Sequence, residues 1–173
     1  LLPHANPGTM THRELSALKD SNPSTGIMLE STSDILYQVG GPHEFAPSKR
    51  PIVRLKTIAI AGELKIPFTT GLLIGIGETM LDRMESLLEI RNLQRKHNHI
   101  QEIIIQNFRA KPKTPMAEFP DAETQEMLWT VAAARLILGP EANIQVPPNL
   151  SSDNYEIYLN AGINDWGGVS PLT

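Results

Sequence analysis

The chain has 173 residues, enough for one domain with a real core, and the composition of an ordinary globular protein. Its net charge of −4 leaves no electrostatic footprint for nucleic acid or an acidic membrane. Cysteine is absent, which excludes disulfides, thiolate catalysis and any cysteine-ligated metal from this chain. No apolar run approaches the roughly 20 residues that a membrane helix needs. Residues 1–20 carry Pro3, Pro7 and several charges and show no leader, so a cytoplasmic location is expected. The sequence opens on Leu1-Leu2-Pro3 without an initiator Met and closes on Ser170-Pro171-Leu172-Thr173, and we expect a fragment.

Short apolar runs alternate with longer amphipathic ones. Residues 2–6 read as a strand remnant. Thr11-His12-Arg13-Glu14 is a capping box opening a helix to about Lys19. Residues 26–30 read as a strand, followed by a loop rich in Ser, Gly and Pro with a short helix near 33–38. Residues 49–65 show a 3.6-residue pattern through Ile52, Leu55, Ile58, Ala59 and Gly62, with Pro51 in the first turn. Residues 68–76 form a continuous apolar strand of the buried, parallel type. Residues 80–97 predict a helix with Met84, Leu87, Leu88, Ile90 and Leu93 inward. A strand at 100–108 and a helix at 121–138 follow, the helix stopped by Gly139-Pro140. A short strand at 143–146, a helix at 151–161 capped by Ser151 or Ser152, and a last strand at 163–166 complete the pattern. Such alternation implies right-handed βαβ units on a parallel sheet, either doubly wound or a (β/α) barrel. Polar and Gly-rich residues gather after each strand: Asn6, Glu30, Gly75 to Glu78, Asn107 to Lys111, Asn149 and Asp165. Six strand ends converging on one site favour a barrel, whose ligands bind at the C-terminal ends of its strands.

Several residues there can carry chemistry. In Gly71-Leu72-Leu73-Ile74-Gly75-Ile76-Gly77-Glu78 the glycines would let a ligand approach the backbone; the plain alternative is a Gly-rich turn before a helix. Neither a phosphate loop nor a dinucleotide fingerprint fits that spacing. Glu30 can accept two hydroxyl hydrogen bonds, as a ribose diol requires, or serve as a cap or solvated loop acid. Arg54 can hold a carboxylate or lie on the surface. The segment Asn107-Phe108-Arg109-Ala110-Lys111-Pro112-Lys113-Thr114-Pro115 is expected to run extended, against a flat base or as a rigid connection. No histidine pair has metal-site spacing; His97 and His99 are expected to be solvated, while His4 with Asn6 can reach the site.

The residues around Arg54, the pattern Gly71-x-Leu73-x-Gly75-x-x-Glu78 and the segment after Asn107 resemble radical S-adenosylmethionine (SAM) enzymes of the biotin synthase type. Leu73 stands where that family has Ile, and Lys113 where it has the Gly of Gly-Thr-Pro. Further stretches, among them Leu2-Pro3-His4-Ala5-Asn6, Gly40-Gly41-Pro42-His43 and Gly162-Ile163-Asn164-Asp165-Trp166-Gly167-Gly168, are similar to the CofG-type FO synthase family over essentially the whole chain. The resemblance implies an α/β fold, a TIM-type radical SAM barrel of which this chain supplies about strands 3 to 8. It would be the C-terminal part of a single domain whose CxxxCxxC segment, holding a [4Fe–4S] cluster, lies outside this chain. It implies SAM bound by Glu30 at the ribose and Arg54 at the carboxylate, with Gly75, Ile76, Glu78, Asn107 and Arg109 also at the cofactor. The implied activity is a carbon–nitrogen lyase: reductive cleavage of SAM, hydrogen abstraction from a hydroxybenzyl–ribitylaminouracil adduct supplied by a sister subunit or domain, and ring closure with ammonia loss to the deazaflavin FO. The fragment alone would be inactive. Asn107, Asp165 and His4 are candidates to face the substrate by position, and no metal ligand is expected in the chain. Sister FO synthase subunits, biotin synthase-like and menaquinone-pathway enzymes, or a scaffold that holds a nucleoside without a cluster, are the alternatives.

Overall fold

The computed structural model describes residues 2–150 and 155–168. Five strands run parallel: β1 (His4–Ala5), β2 (Ser24–Gly26), β3 (Phe68–Ile74), β4 (Ile100–Asn107) and β5 (Ile144–Gln145). They are joined through α1 (His12–Lys19), α2 (Pro51–Glu63), α3 (Met80–His97) and α4 (Thr124–Leu138), and α5 (Ile157–Ala161) follows β5. Strand order in the sheet is β1-β2-β3-β4-β5, and a parallel bridge from Gln145 to Asp165 marks a sixth position. Each strand therefore pairs with the next one in the chain, without the reversal of order that defines a doubly wound sheet. That winding decides between the two architectures in favour of the barrel.

Local chemistry sets the helix ends. The Thr11–Glu14 capping box closes as expected: Glu14 accepts from the Thr11 amide at 2.8 Å, and Thr11 Oγ1 accepts from the Glu14 amide. A second box opens α3, where Asp82 accepts from the Thr79 amide at 2.7 Å. Asn98, with φ +51, ends α3, and Gly139, with φ +93, ends α4.

The core lies between the sheet and its helices. Phe68, Leu72, Ile74 and Ile105 from the sheet meet Ile58, Leu87, Ile90, Met127 and Val131 from the helices, all essentially without exposure. On β4 burial alternates: Ile103 and Ile105 are buried, while Glu102, Ile104 and Gln106 line a cavity on the lumen side. Gly71 permits the tight pairing of β3 with β4, because a β-carbon there would collide with the Ile104 carbonyl.

Some expectations change. The second strand is Ser24–Gly26, not 26–30; Glu30 touches the sheet only through a bridge to Leu72, since its φ of +65 breaks the extended run. Met84 and Ile52 face outward. The inward face of α3 keeps Leu87 and Ile90 as expected and adds Arg83 and Ser86, which find buried hydrogen-bond partners. His99 is buried rather than solvated, its Nε2–H donating to the Ile58 carbonyl at 2.9 Å; burial lowers its pKa below the usual 6.5. The segment after Asn107 does not run extended but folds into turns closed by Thr114 and Met116. Residues 163–166 contribute a single bridge, not a strand. The helix start at Ser151 or Ser152 and the side chain of Asn149 lie outside the described residues.

Candidate functional site at the strand ends

The connection from β2 to α2 spans residues 27–50, long for a compact domain, and such loops are usually functional. It brings His43 and Lys49 to Glu30, opposite Arg54 of α2. Glu30 Oε2 accepts from His43 Nε2 and from Lys49 Nζ, each at 3.0 Å, and Oε1 meets Arg54 Nη1 at 2.9 Å. Burial alone would raise the Glu30 pKa. The hydrogen bond from His43, the Arg54 charge and the Lys49 hydrogen bond outweigh it, and hold the carboxyl at about 2 against an ordinary 4.5. Tyr37 braces this arrangement, its hydroxyl donating to the Lys49 carbonyl and its ring lying 5.4 Å from that of His43. Arg54 is 7% exposed and also donates to the carbonyls of Met28 and Ser48. Its Nη2 has no hydrogen-bond partner among the described residues, which leaves a donor for an incoming carboxylate.

The glycine-rich turn sits at the same end of the sheet. Glu30 and the turn are joined through β3: the Glu30 amide donates to Gly71 O, and the Leu73 amide to Glu30 O. Glu78 folds back on the turn, accepting from the Gly75 and Ile76 amides at 2.9 Å each. Those two N–H groups are therefore spent, and the turn offers a ligand its shape, its carbonyls and its apolar surface. Gly75 has φ +93, and a β-carbon there would lie 2.8 Å from Ala122 Cβ. The close approach it allows is to α4's leading residues, and the glycine serves packing at that point.

Asn107 ends β4, 3% exposed. Its Nδ2 and Arg109 Nε both donate to the Leu150 carbonyl, the latter at 2.7 Å. Asn107 Oδ1 is buried without a partner among the described residues, an acceptor in want of a donor. Arg109 also pairs with Asp121 at 2.8 Å, and Asp121 accepts from the Ala110 amide. Asp121 thus clamps the loop, and α4 begins later than expected, at Thr124. Lys113, where the resembled family has Gly, adopts φ +66. A side chain in that region costs about 1 kcal/mol. Lys113→Gly is therefore expected to raise the urea midpoint by an equivalent of roughly 1 kcal/mol, with no change in the loop's contacts.

Two cavities open here. One of about 890 Å³ lies between the 40–46 loop and the 109–119 loop, lined by Phe45, Phe108, Met116, Phe119, Leu73 and Asn107 among others. The other, about 600 Å³, occupies the lumen, where Glu30 and Arg54 meet His4, Asn6 and the inward side chains of β3 and β4. His4 Nδ1 bonds to Ser24 Oγ at 2.8 Å. Asp165 is exposed; its carboxylate accepts from Gln145 Nε2 and the Gly167 amide and does not line either cavity. The structure brings Glu30, Arg54, the glycine turn and Asn107 to one end of the sheet; His4, level with the start of β3, lines the lumen cavity instead. Among the described residues no group of three His, Asp or Glu is placed to hold a metal ion.

A similar segment occurs in known proteins. The chain is 52% identical over 173 residues to the 7,8-didemethyl-8-hydroxy-5-deazariboflavin synthase of Methanopyrus kandleri, covering all of this chain and 52% of that protein. It is 54% identical over 174 residues to the FO synthase of Streptomyces coelicolor, covering all of this chain and 20% of that protein. By sequence the whole of the chain is similar to a segment of the FO synthases. It spans about half the length of the first of these relatives. No protein-family model matches the chain. Among solved structures, HydG, a maturase of the [FeFe]-hydrogenase, superposes with a TM-score of 0.76 at 18% identity, over 92% of this chain and 36% of that one. That likeness is one of fold, a TIM-type (β/α) barrel, over part of its strands.

Three functional groups of this FO synthase homologue escape sequence reasoning. His43 and Lys49 lie 13 and 19 residues from the carboxylate they bind. Arg83, 3% exposed, links Glu78 at 2.7 Å to Glu126 at 2.9 Å, tying the glycine turn to α3 and α4. For His43 the Gly40-Gly41-Pro42-His43 stretch was a usable signal; for Arg83 none exists, because its partner Glu126 is 43 residues away.

Proposed function

We propose that this chain is the C-terminal part of a radical SAM barrel domain, about strands 3 to 8, in an FO synthase, and that its strand ends hold SAM against the substrate. The observation that carries this reading is the convergence of Glu30, Arg54 and the Gly75–Glu78 turn at one end of a parallel sheet. Glu30, ionised well below neutral pH, accepts hydrogen bonds from a ribose diol. The free Nη2 of Arg54 meets the methionyl carboxylate. The buried Oδ1 of Asn107 accepts from an exocyclic amine, with Ile76 and Arg109 flanking the base.

SAM, together with a [4Fe–4S] cluster whose ligands lie outside this chain, supplies radical chemistry. The residues of this chain position and enclose. His4 faces the substrate in the lumen, and Asp165 acts indirectly by fixing Gln145. The reaction is a carbon–nitrogen lyase step on a hydroxybenzyl–ribitylaminouracil adduct, delivered by a sister subunit or domain, with ammonia release. With no cysteine in its sequence, the segment alone holds no cysteine-ligated cluster and is inactive. Among the described residues no helix is long and apolar enough to cross a membrane, and a cytoplasmic location belongs to the same reading.

The test is anaerobic reconstitution of the full-length protein with iron and sulfide, followed by assays of SAM cleavage and deazaflavin fluorescence with the adduct. Both signals are expected. SAM cleavage without the fluorescent product rejects the substrate, and failure to bind SAM rejects the whole reading.

A further inference from the structure

The lumen cavity holds polar groups that the SAM contacts do not use. Glu102 on β4 stands opposite Thr69 on β3 in the sheet register, and its Oε2 accepts from Thr69 Oγ1 at 2.8 Å. Its Oε1 has no partner among the described residues. Further along β4, past Ile104, Gln106 faces the same cavity, and its amide is unpaired among the described residues, as is that of Asn6 beyond β1. The wall thus carries, from one strand to the next, an acceptor-only carboxylate and two amides that both donate and accept.

Charge narrows the occupant. Among the described residues two carboxylates, Glu30 and Glu102, face this space, and Arg54 is the only lining residue with an ammonium or guanidinium group. Nε and Nη1 of that guanidinium are engaged by Glu30 and by the carbonyls of Met28 and Ser48, and its remaining Nη2 is the donor that SAM's carboxylate takes in the proposed binding mode. A phosphate ester would meet net negative potential, whereas hydroxyl groups match acceptors and donors alike. The product named for the M. kandleri relative is a deazariboflavin, and a riboflavin skeleton carries a neutral ribityl chain beside its flat rings.

We infer that Glu102, Gln106 and Asn6 form the subsite for the ribityl chain of the substrate, and that the subsite discriminates against its phosphate ester. The inference rests on the FO synthase reading and adds the determinants of specificity to it. The chain lies along β4 with its hydroxyls on Gln106 and Glu102, leaving the uracil end toward the strand termini where Glu30 and Arg54 sit.

Isothermal titration on the full-length protein tests this, with a ribityl-substituted aminouracil, the same aminouracil lacking the chain, and the phosphate ester of the first. The ribityl compound is expected to bind wild type roughly tenfold or more tightly than either other compound. Gln106→Ala and Glu102→Gln are each expected to weaken the ribityl compound by roughly tenfold and to leave the chainless compound unchanged. Asn6→Ala, on a different strand, repeats the test should a β4 variant unfold, with the thermal midpoint recorded for each. Variants that bind the ribityl compound as tightly as wild type does, or a wild type that binds the phosphate ester as tightly, overturn the inference. A wild type that binds SAM and none of the three pyrimidines overturns the FO synthase reading, and the subsite with it.

Discussion

Arg83→Met is expected to destabilise the protein by about 3–5 kcal/mol, the usual consequence of removing one partner from a buried ion pair. Arg83 and Glu78 are both nearly without solvent, with side-chain exposures of 3% and 1%. Without the guanidinium, Glu78 retains only the Gly75 and Ile76 amides as partners for a full negative charge. The cost is specific to the unpaired charge, so Arg83→Met combined with Glu78→Gln should recover part of it. Urea denaturation of the four members of that cycle, in the full-length protein, measures the coupling. A loss below about 1 kcal/mol in the single variant would show that the carboxylate is compensated by other means. Because Glu78 shapes the glycine turn, Arg83→Met should also weaken SAM binding without touching the ligand.

Glu30→Gln is the second large effect, and it has two signatures. In titrations of the full-length protein, SAM affinity should fall by roughly tenfold or more, since a charge-assisted hydrogen bond is replaced by a neutral one. Arg54→Ala should do the same at the carboxylate end, and unchanged affinity in both variants would reject the assignment. The other signature is acid stability. The folded pKa of Glu30 is about 2, below the ordinary 4.5 of the unfolded chain. A depressed carboxyl stabilises the fold above the unfolded pKa, and that stability is lost as pH falls from about 4.5 through about 2. The amount is on the order of 3 kcal/mol. Denaturation midpoints at pH 7, 4.5 and 3 should therefore decline more steeply in wild type than in Glu30→Gln. Parallel profiles would mean that the His43 hydrogen bond and the Arg54 and Lys49 charges do not lower this carboxyl.

Much of the architecture was written in apolar periodicity. The runs that became β3 and β4 are long and β-branched, and Thr11–Glu14 and Gly139 punctuate their helices by well-understood hydrogen bonding. The position of Glu30 beside the strand ends was also legible, because a carboxylate after a buried run has few other places to lie. What stayed hidden depends on contacts between distant residues. No local pattern tells that Arg83 reaches Glu126, that Lys49 returns to Glu30, or that His99 finds the Ile58 carbonyl. The glycines misled for a related reason. Gly71 and Gly75 are small because Ile104 and Ala122 press against them, a demand that looks the same in sequence as the close approach of a ligand. Met84 and Ile52 show the limit of periodicity itself, since a buried arginine on α3 and on α2 overrode the apolar stripe.

The unreversed order of the sheet has an evolutionary corollary. Every loop at the site end connects a strand to its own covering helix, so lengthening one of them leaves the neighbouring ladders intact. Insertions in the 40–46 or 109–119 loop could thus recast which molecule is accepted while the carboxylate at residue 30 and the glycine turn at residue 75 stay fixed, a division of labour through which one scaffold can diversify its chemistry.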